Sequence, residues 1–445
     1  MRNSLYFSRF ARNRGFQPVG NFGLGGRQDA NAERTVRVAA DERYGQTDNN
    51  MADIGKAEQR MAQEVAYSPG LEGVIAGESG ISRIDTERNR LIIRGYDLVD
   101  FTEGGAAYEE VAYLLLFGAL PSRAELDDFT QLLRSERQIP DPVRDILRQA
   151  PASAHPMSLL RTAVSALSFH DPDAEDNSHD ANVRKAVRLL AKVPTIIMSG
   201  HRFAVGEEPV APKDDLGHAA NLLYMMRGSD PADYEVAAMN VSLILYAEHG
   251  YNASAFAARV TASTMSDMHA AITTGIGTLA GALHGGANEQ AMAMLLGIGE
   301  ASKGRQWVLD ALAEKRKIMG FGHREYKSGD SRVPSLKQVG RDIAAAVGDT
   351  QWVELADIVE ETMISEKGIF PNVDFPCAYT YYMMKIPIPL YTPIFVASRT
   401  AGWAAHVIEQ HDGNRLIRPD HIYTGQEGRT FEAVDDRRPE GSSPQ

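Results

Sequence analysis

Between Met268 and Asn288 the chain runs for 21 residues without Asp, Glu, Lys or Arg, and a stretch like that has few places to go. Its length would let a helix cross a bilayer. It also holds His269, His284, Asn288, several threonines and glycines at 275, 277, 281, 285 and 286, which makes its hydrophobicity too low for lipid. The remaining expectation is a helix buried inside a large helical body or a subunit interface. At 445 residues the chain exceeds the size at which a single hydrophobic core stops growing, so two packed lobes are expected around it.

Acidic residues outnumber basic ones, 59 against 46, giving a formal charge of -13. Such a surface repels nucleic acid and anionic membranes, and neither is expected as a partner. An anionic substrate would need a local cluster of arginines. The single cysteine, Cys377, rules out an intrachain disulfide and a thiolate metal cage, and suits a reducing compartment. As a lone thiol it reads as a small packing residue.

Arg2, Arg9, Arg12, Arg14 and Arg27 precede the first acidic residue, Asp29, and polar sequence follows to about Asn50. Residues 1–66 are expected to stand outside the fold as a disordered or targeting leader, or as an overlong start with the true one at Met51 or Met61. A cytoplasmic location is expected, with a mitochondrial matrix as the alternative if the leader is a transit peptide. Val74–Glu78 and Leu91–Tyr96 read as short strands joined by polar turns, and helices dominate beyond them. Tyr108–Phe117 has apolar residues at helical spacing. Ser122 and Glu125 form a capping box for the next helix. Further helices are expected over Met157–Leu167, Asn182–Met198, Leu216–Met226, Glu235–Ala247, Ala253–Thr264, Leu336–Ala346 and Trp352–Ile364. The fold class is mainly α with a short N-terminal β region, and residues 431–445 read as a flexible tail.

Four interruptions rich in Gly or Pro carry chemically capable side chains. They are Leu283-His284-Gly285-Gly286-Ala287-Asn288, Gly320-Phe321-Gly322-His323-Arg324, Phe370-Pro371-Asn372-Val373-Asp374-Phe375, and the helix ends around Arg399 and Arg418. Taken singly, each histidine reads first as a satisfied structural residue. Taken together, two imidazoles, a carboxylate and several arginines can move protons and bind carboxylates, but they offer no evident nucleophile. There is no Gly-x-Ser-x-Gly elbow and no P-loop. Carbon-acid chemistry on an anionic substrate fits, with a carboxylate as base in a dry site and a donor at the developing enolate oxygen. A metal site ranks below this, because His284, His323 and Asp374 lack local ligand spacing and arginines disfavour a cation. An α-solenoid binding protein would show an internal repeat, and none is found.

At these residues, and at Asn252-Ala253-Ser254, Thr392-Pro393-Ile394-Phe395 and Arg399-Thr400-Ala401-Gly402-Trp403, the chain resembles the citrate synthase family from about Gly70 to Gly425. The resemblance implies a two-domain helical fold. Its large domain would span 67–289 plus 395–430, and the smaller domain, 290–394, would close over the substrates. It further implies Claisen-type condensation of acetyl-CoA with oxaloacetate, followed by hydrolysis of the citryl-CoA thioester. Asp374 would take the α-proton, His284 would donate to the enol oxygen, and His323 would polarise the ketone. His249, Arg332, Arg399 and Arg418 would hold oxaloacetate, with Arg418 reaching the neighbouring subunit's site in a homodimer. Lys317, Arg324 and Lys367 would contact CoA phosphates, and no permanently bound cofactor or metal is implied.

The chain departs from the common pattern of that family at Tyr246, where a histidine is frequent, at Glu325, and at Gly329-Asp330-Ser331-Arg332-Val333-Pro334. The last of these looks closer to 2-methylcitrate synthases, so propionyl-CoA stands as an alternative or second donor. A catalytically silent dicarboxylate or CoA sensor is the reading from a different class.

Overall fold

The computed structural model describes residues 67–437. The expected 1–66 leader and the end of the expected 431–445 tail lie outside the described residues. The chain divides into two compact units, one ending at Gly80 and the other running from Ile81 onward. Among the described residues of the first, a 3-10 turn, Pro69–Leu71, precedes irregular backbone. The strand expected over Val74–Glu78 does not form. Ile75 is 90% exposed and Gly73 takes a φ of 74°, so the segment has no buried face to hold it extended.

The second unit opens with an antiparallel meander of β1 (Ser82–Asp85), β2 (Arg90–Ile93) and β3 (Tyr96–Asp97). Ser82 pairs with Ile93, and Ile93 with Tyr96. Leu91–Tyr96, expected as one strand, is a hairpin instead. Arg94 and Gly95 both have positive φ, 48° and 92°, the backbone that a two-residue turn between twisted strands requires.

Sixteen helices follow among the described residues. They are α1 (Leu98–Glu103), α2 (Tyr108–Phe117), α3 (Arg123–Ser135), α4 (Asp141–Gln149), α5 (Pro156–Leu167), α6 (His179–Ala204), α7 (His218–Arg227) and α8 (Asp233–Tyr246). Then come α9 (Ala253–Ser263), α10 (Met268–Leu279), α11 (Ala287–Ile298), α12 (Ala301–Ala313), α13 (Val333–Val347), α14 (Gln351–Lys367), α15 (Asp374–Met383) and α16 (Tyr391–Asp412). The local signals explain their starts. Ser122 Oγ accepts from the Glu125 amide at 3.3 Å while Glu125 Oε2 accepts from the Ser122 amide at 2.8 Å, and Asn252 caps α9 through Ala255 N at 3.1 Å.

The core gathers around α16, a 22-residue helix buried along nearly its whole length, which packs against α2, α6, α8, α9 and α10. The uncharged run is not one helix. It forms α10, which lies against α5, α9 and α16, then breaks at 280–286 and restarts as α11. Gly275 sets the crossing, since a Cβ there would meet the Trp403 ring at 3.1 Å. Helices α11 to α15 pack chiefly on one another, with α13 also against α8. Among the described residues no helix is long and apolar enough to cross a membrane.

Candidate active site

Three interruptions of the helical body carry His284, His323 and Asp374. Two of them are zipped together. Gly322 N donates to Phe370 O at 2.9 Å, Asn372 N to Gly320 O at 2.9 Å, and Asn372 Nδ2 to Gly322 O at 3.0 Å, so His323 and Asp374 are carried on adjoining segments. Gly320 makes the approach possible: at φ 82° it sits so close that a Cβ would lie 2.8 Å from Phe375 Cβ. The third interruption is the 280–286 turn, which carries His284.

Asp374 is the first residue of α15, and its carboxylate accepts from Tyr246 Oη at 2.7 Å. Burial raises its pKa to about 6, against the opposing pull of the Tyr246 hydrogen bond and the charges of Arg332 and Arg399. A carboxylate there is ionised at neutral pH and basic enough to accept a proton.

Both imidazoles are neutral. Burial, helped by Arg332, pushes His323 down to about 4. Its Nδ1 accepts from the amides of Glu325 at 3.0 Å and Tyr326 at 3.3 Å, so the ring proton sits on Nε2, ready to donate. Burial and the Arg399 charge likewise push His284 down to about 4. The Ser254 amide donates to its Nε2 at 3.3 Å, with Ser254 Oγ 2.8 Å from the same nitrogen. An amide can only donate, which selects the tautomer with the proton on Nδ1. Trp403 Nε1 fixes Ser254 Oγ in turn, at 3.1 Å.

Buried cations and a further histidine complete the cluster. Arg332 is gripped by both oxygens of Asp330, at 2.9 and 2.7 Å, and Asp330 also accepts from Val373 N at 3.3 Å. That last bond ties the arginine to the Asp374 segment. Arg399, 1% exposed, donates through Nε to the Tyr246 carbonyl at 2.6 Å and lies over the Phe395 ring. Burial lowers its pKa to about 10, so it stays charged at neutral pH. The His249 ring meets that of His323 edge-on, centroids 5.0 Å apart, and its buried Nε2 has no hydrogen-bond partner among the described residues. Burial, then Arg332, His323 and Arg399, hold it well below the usual histidine range.

The structure thus brings together His249, His284, His323, Arg332, Asp374 and Arg399. It leaves Lys317, Arg324, Lys367 and Arg418 at exposed positions, and Arg418 pairs with Asp420 at 3.1 Å. Tyr246, Ser254, Asp330 and Tyr326 are site residues that sequence reasoning gave no role. Ser254 lies in the Asn252-Ala253-Ser254 motif and Tyr246 stands where the family frequently has a histidine, but neither residue reveals its partner locally. Among the described residues, no group of three or more His, Cys, Asp or Glu side chains is arranged to hold a metal ion.

Against known proteins, the family model described as "Citrate synthase, C-terminal domain" matches residues 70–420. The chain belongs to the citrate synthase family. It is 46% identical to the citrate synthase of Haloferax volcanii over 83% of this chain and 98% of that one. It is 44% identical to the 2-methylcitrate synthase of Mycobacterium tuberculosis over 81% of this chain and 91% of that one. A ternary complex of carboxymethyl coenzyme A and oxaloacetate with citrate synthase from Thermoplasma acidophilum superposes with a TM-score of 0.79 at 31% identity, covering 84% of this chain and 100% of that one. The mainly helical architecture with its short N-terminal β region is therefore as the residues suggested, and the citrate synthase fold as the resemblance implied.

Proposed function

We propose that this enzyme condenses acetyl-CoA with oxaloacetate and hydrolyses the resulting citryl-CoA to citrate and CoA. The observation that carries the reading is a basic carboxylate, Asp374, set among two neutral imidazoles and two buried arginines. Asp374 takes a proton from the thioester's α-carbon. The C–H electron pair becomes the enol double bond, and the carbonyl oxygen is met by a proton from His284 Nδ1. The enol then attacks the ketone carbon, handing its hydroxyl proton back to His284 Nδ1 as the thioester carbonyl re-forms; the ketone oxygen receives the His323 Nε2 proton, which is restored through water by the one Asp374 took. Water next cleaves the thioester, and the CoA thiol leaves.

Arg332 and Arg399 hold the dicarboxylate. The Nη groups of Arg399 have no protein hydrogen-bond partner among the described residues, a disposition that suits a substrate carboxylate. His249 Nε2 is a further contact. Arg418 is assigned to the neighbouring subunit's site in a homodimer, and Lys317, Arg324 and Lys367 to CoA phosphates. Residues 290–394 act as a lobe whose closure excludes water from the enol, and the enzyme works in the cytoplasm.

Propionyl-CoA is the alternative donor, favoured by the similarity to the 2-methylcitrate synthase of Mycobacterium tuberculosis. One methylene is discriminated by only about 1–3 kcal/mol, so dual use follows naturally. Thiol release is the test, with oxaloacetate and each acyl-CoA supplied in turn. Faster release from acetyl-CoA supports the main reading, faster release from propionyl-CoA supports the alternative, and no release from either leaves a silent binding protein.

A further inference from the structure

Tyr246 ends α8 with three constraints on one side chain and its backbone. Its hydroxyl donates to Asp374 Oδ1 at 2.7 Å. Its ring packs on Phe395, centroids 4.1 Å apart. Its carbonyl accepts from Arg399 Nε at 2.6 Å, and the Leu245 carbonyl just before it accepts from Arg332 Nη1 at 3.5 Å. The residue is 1% exposed, so the hydroxyl has almost no freedom to leave the carboxylate. The other carboxylate oxygen, Oδ2, receives no hydrogen bond among the described residues.

We propose that Tyr246 is a positioning residue for the enolising base: its hydroxyl holds Oδ1 and leaves Oδ2 as the oxygen that takes the α-proton. This deepens the function proposed above and rests on it. The proton passes from the α-carbon to Oδ2, the C–H pair becomes the enol bond, and the tyrosine keeps its own proton throughout. Burial and the Asp374 charge hold that phenol well above its ordinary pKa, so it remains a donor. The bond also works against burial at Asp374, because a donor to the charged form favours ionisation. Since the arginines that grip the keto acid also grip the backbone of residues 245 and 246, the base is aligned by the same framework that binds the other substrate.

The test compares Tyr246→Phe with replacement of Tyr246 by 3-fluorotyrosine, which keeps the shape and makes the hydroxyl a stronger donor. The phenylalanine variant should lose about tenfold in kcat and move the acid limb of the kcat profile upward by about one pH unit. Oxaloacetate affinity by calorimetry should stay within about twofold. Fluorotyrosine should move the limb downward, and it keeps the test decisive if the phenylalanine variant does not fold. An active wild type with limbs that stay in place, or that move the same way in both variants, overturns this proposal alone. A wild type that releases no thiol from either acyl-CoA overturns the proposed function and this inference with it.

Discussion

Asp374 is defined by a conflict between burial, which favours its neutral form, and the donors and cations around it, which favour the charged one. Two expectations follow at this one residue. Asp374→Ala should cost about 10²- to 10⁴-fold in kcat while oxaloacetate binding, measured by calorimetry, stays nearly intact, because the base acts on the other substrate. Equal loss of both would count against the role. The second concerns stability. With a folded pKa of about 6, above its unfolded value, the group binds a proton in the folded chain that the unfolded chain has already released. Stability therefore falls as pH rises between about 4 and about 6. Asp374→Asn removes that cost, so the variant should melt above wild type at about pH 8 and level with it below about pH 4, a difference that calorimetric melts can read. Turnover runs the opposite way, lost as pH falls through about 6, since only the carboxylate accepts a proton.

Among the elements, α16 does the most positioning. Arg399 lies three residues before Gly402, Trp403 next to it holds Ser254, and Gly402 itself presses on the turn after α8. A Cβ at Gly402 would run into the Ala247 carbonyl and the Glu248 carboxylate. Gly402→Ala should therefore push α16 away from that turn. Overpacking of this kind costs about 1–3 kcal/mol, visible as a lowered Tm, and oxaloacetate KM should rise because His249 sits in the displaced turn. A variant with unchanged Tm and KM would show that the contact relaxes freely. The element-level reading from sequence did best where the signal was short-range. Tyr108–Phe117 and the Ser122 capping box stand as expected. It failed where the environment decides: Val74–Glu78 has strand-forming residues but no buried face, and the 268–288 run breaks at its glycines.

For the whole molecule, the proposed homodimer with shared sites has its own test. Asp374→Asn and Arg418→Ala chains should each be nearly inactive, yet unfolded and refolded together in equal amounts they should regain about a quarter of wild-type activity. Each mixed dimer would place both lesions in one site and leave the other whole. No recovery would mean that Arg418, exposed in the single chain, serves its own site or none.

The sequence by itself determined most of the helices and, through its motifs, which residues are candidates for the chemistry, because capping, periodicity and motif composition act within a few residues of chain. Only the tertiary structure decided what those residues are. The candidate base and its tyrosine stand 128 positions apart, Ser254 meets His284 and Trp403 across 30 and 149 positions, and Asp330 reaches Val373 across 43, contacts no local pattern encodes. A carboxylate's basicity, an imidazole's tautomer and an arginine's free donors are set by desolvation and by partners brought from elsewhere in the chain, and these exist only once the helices have packed.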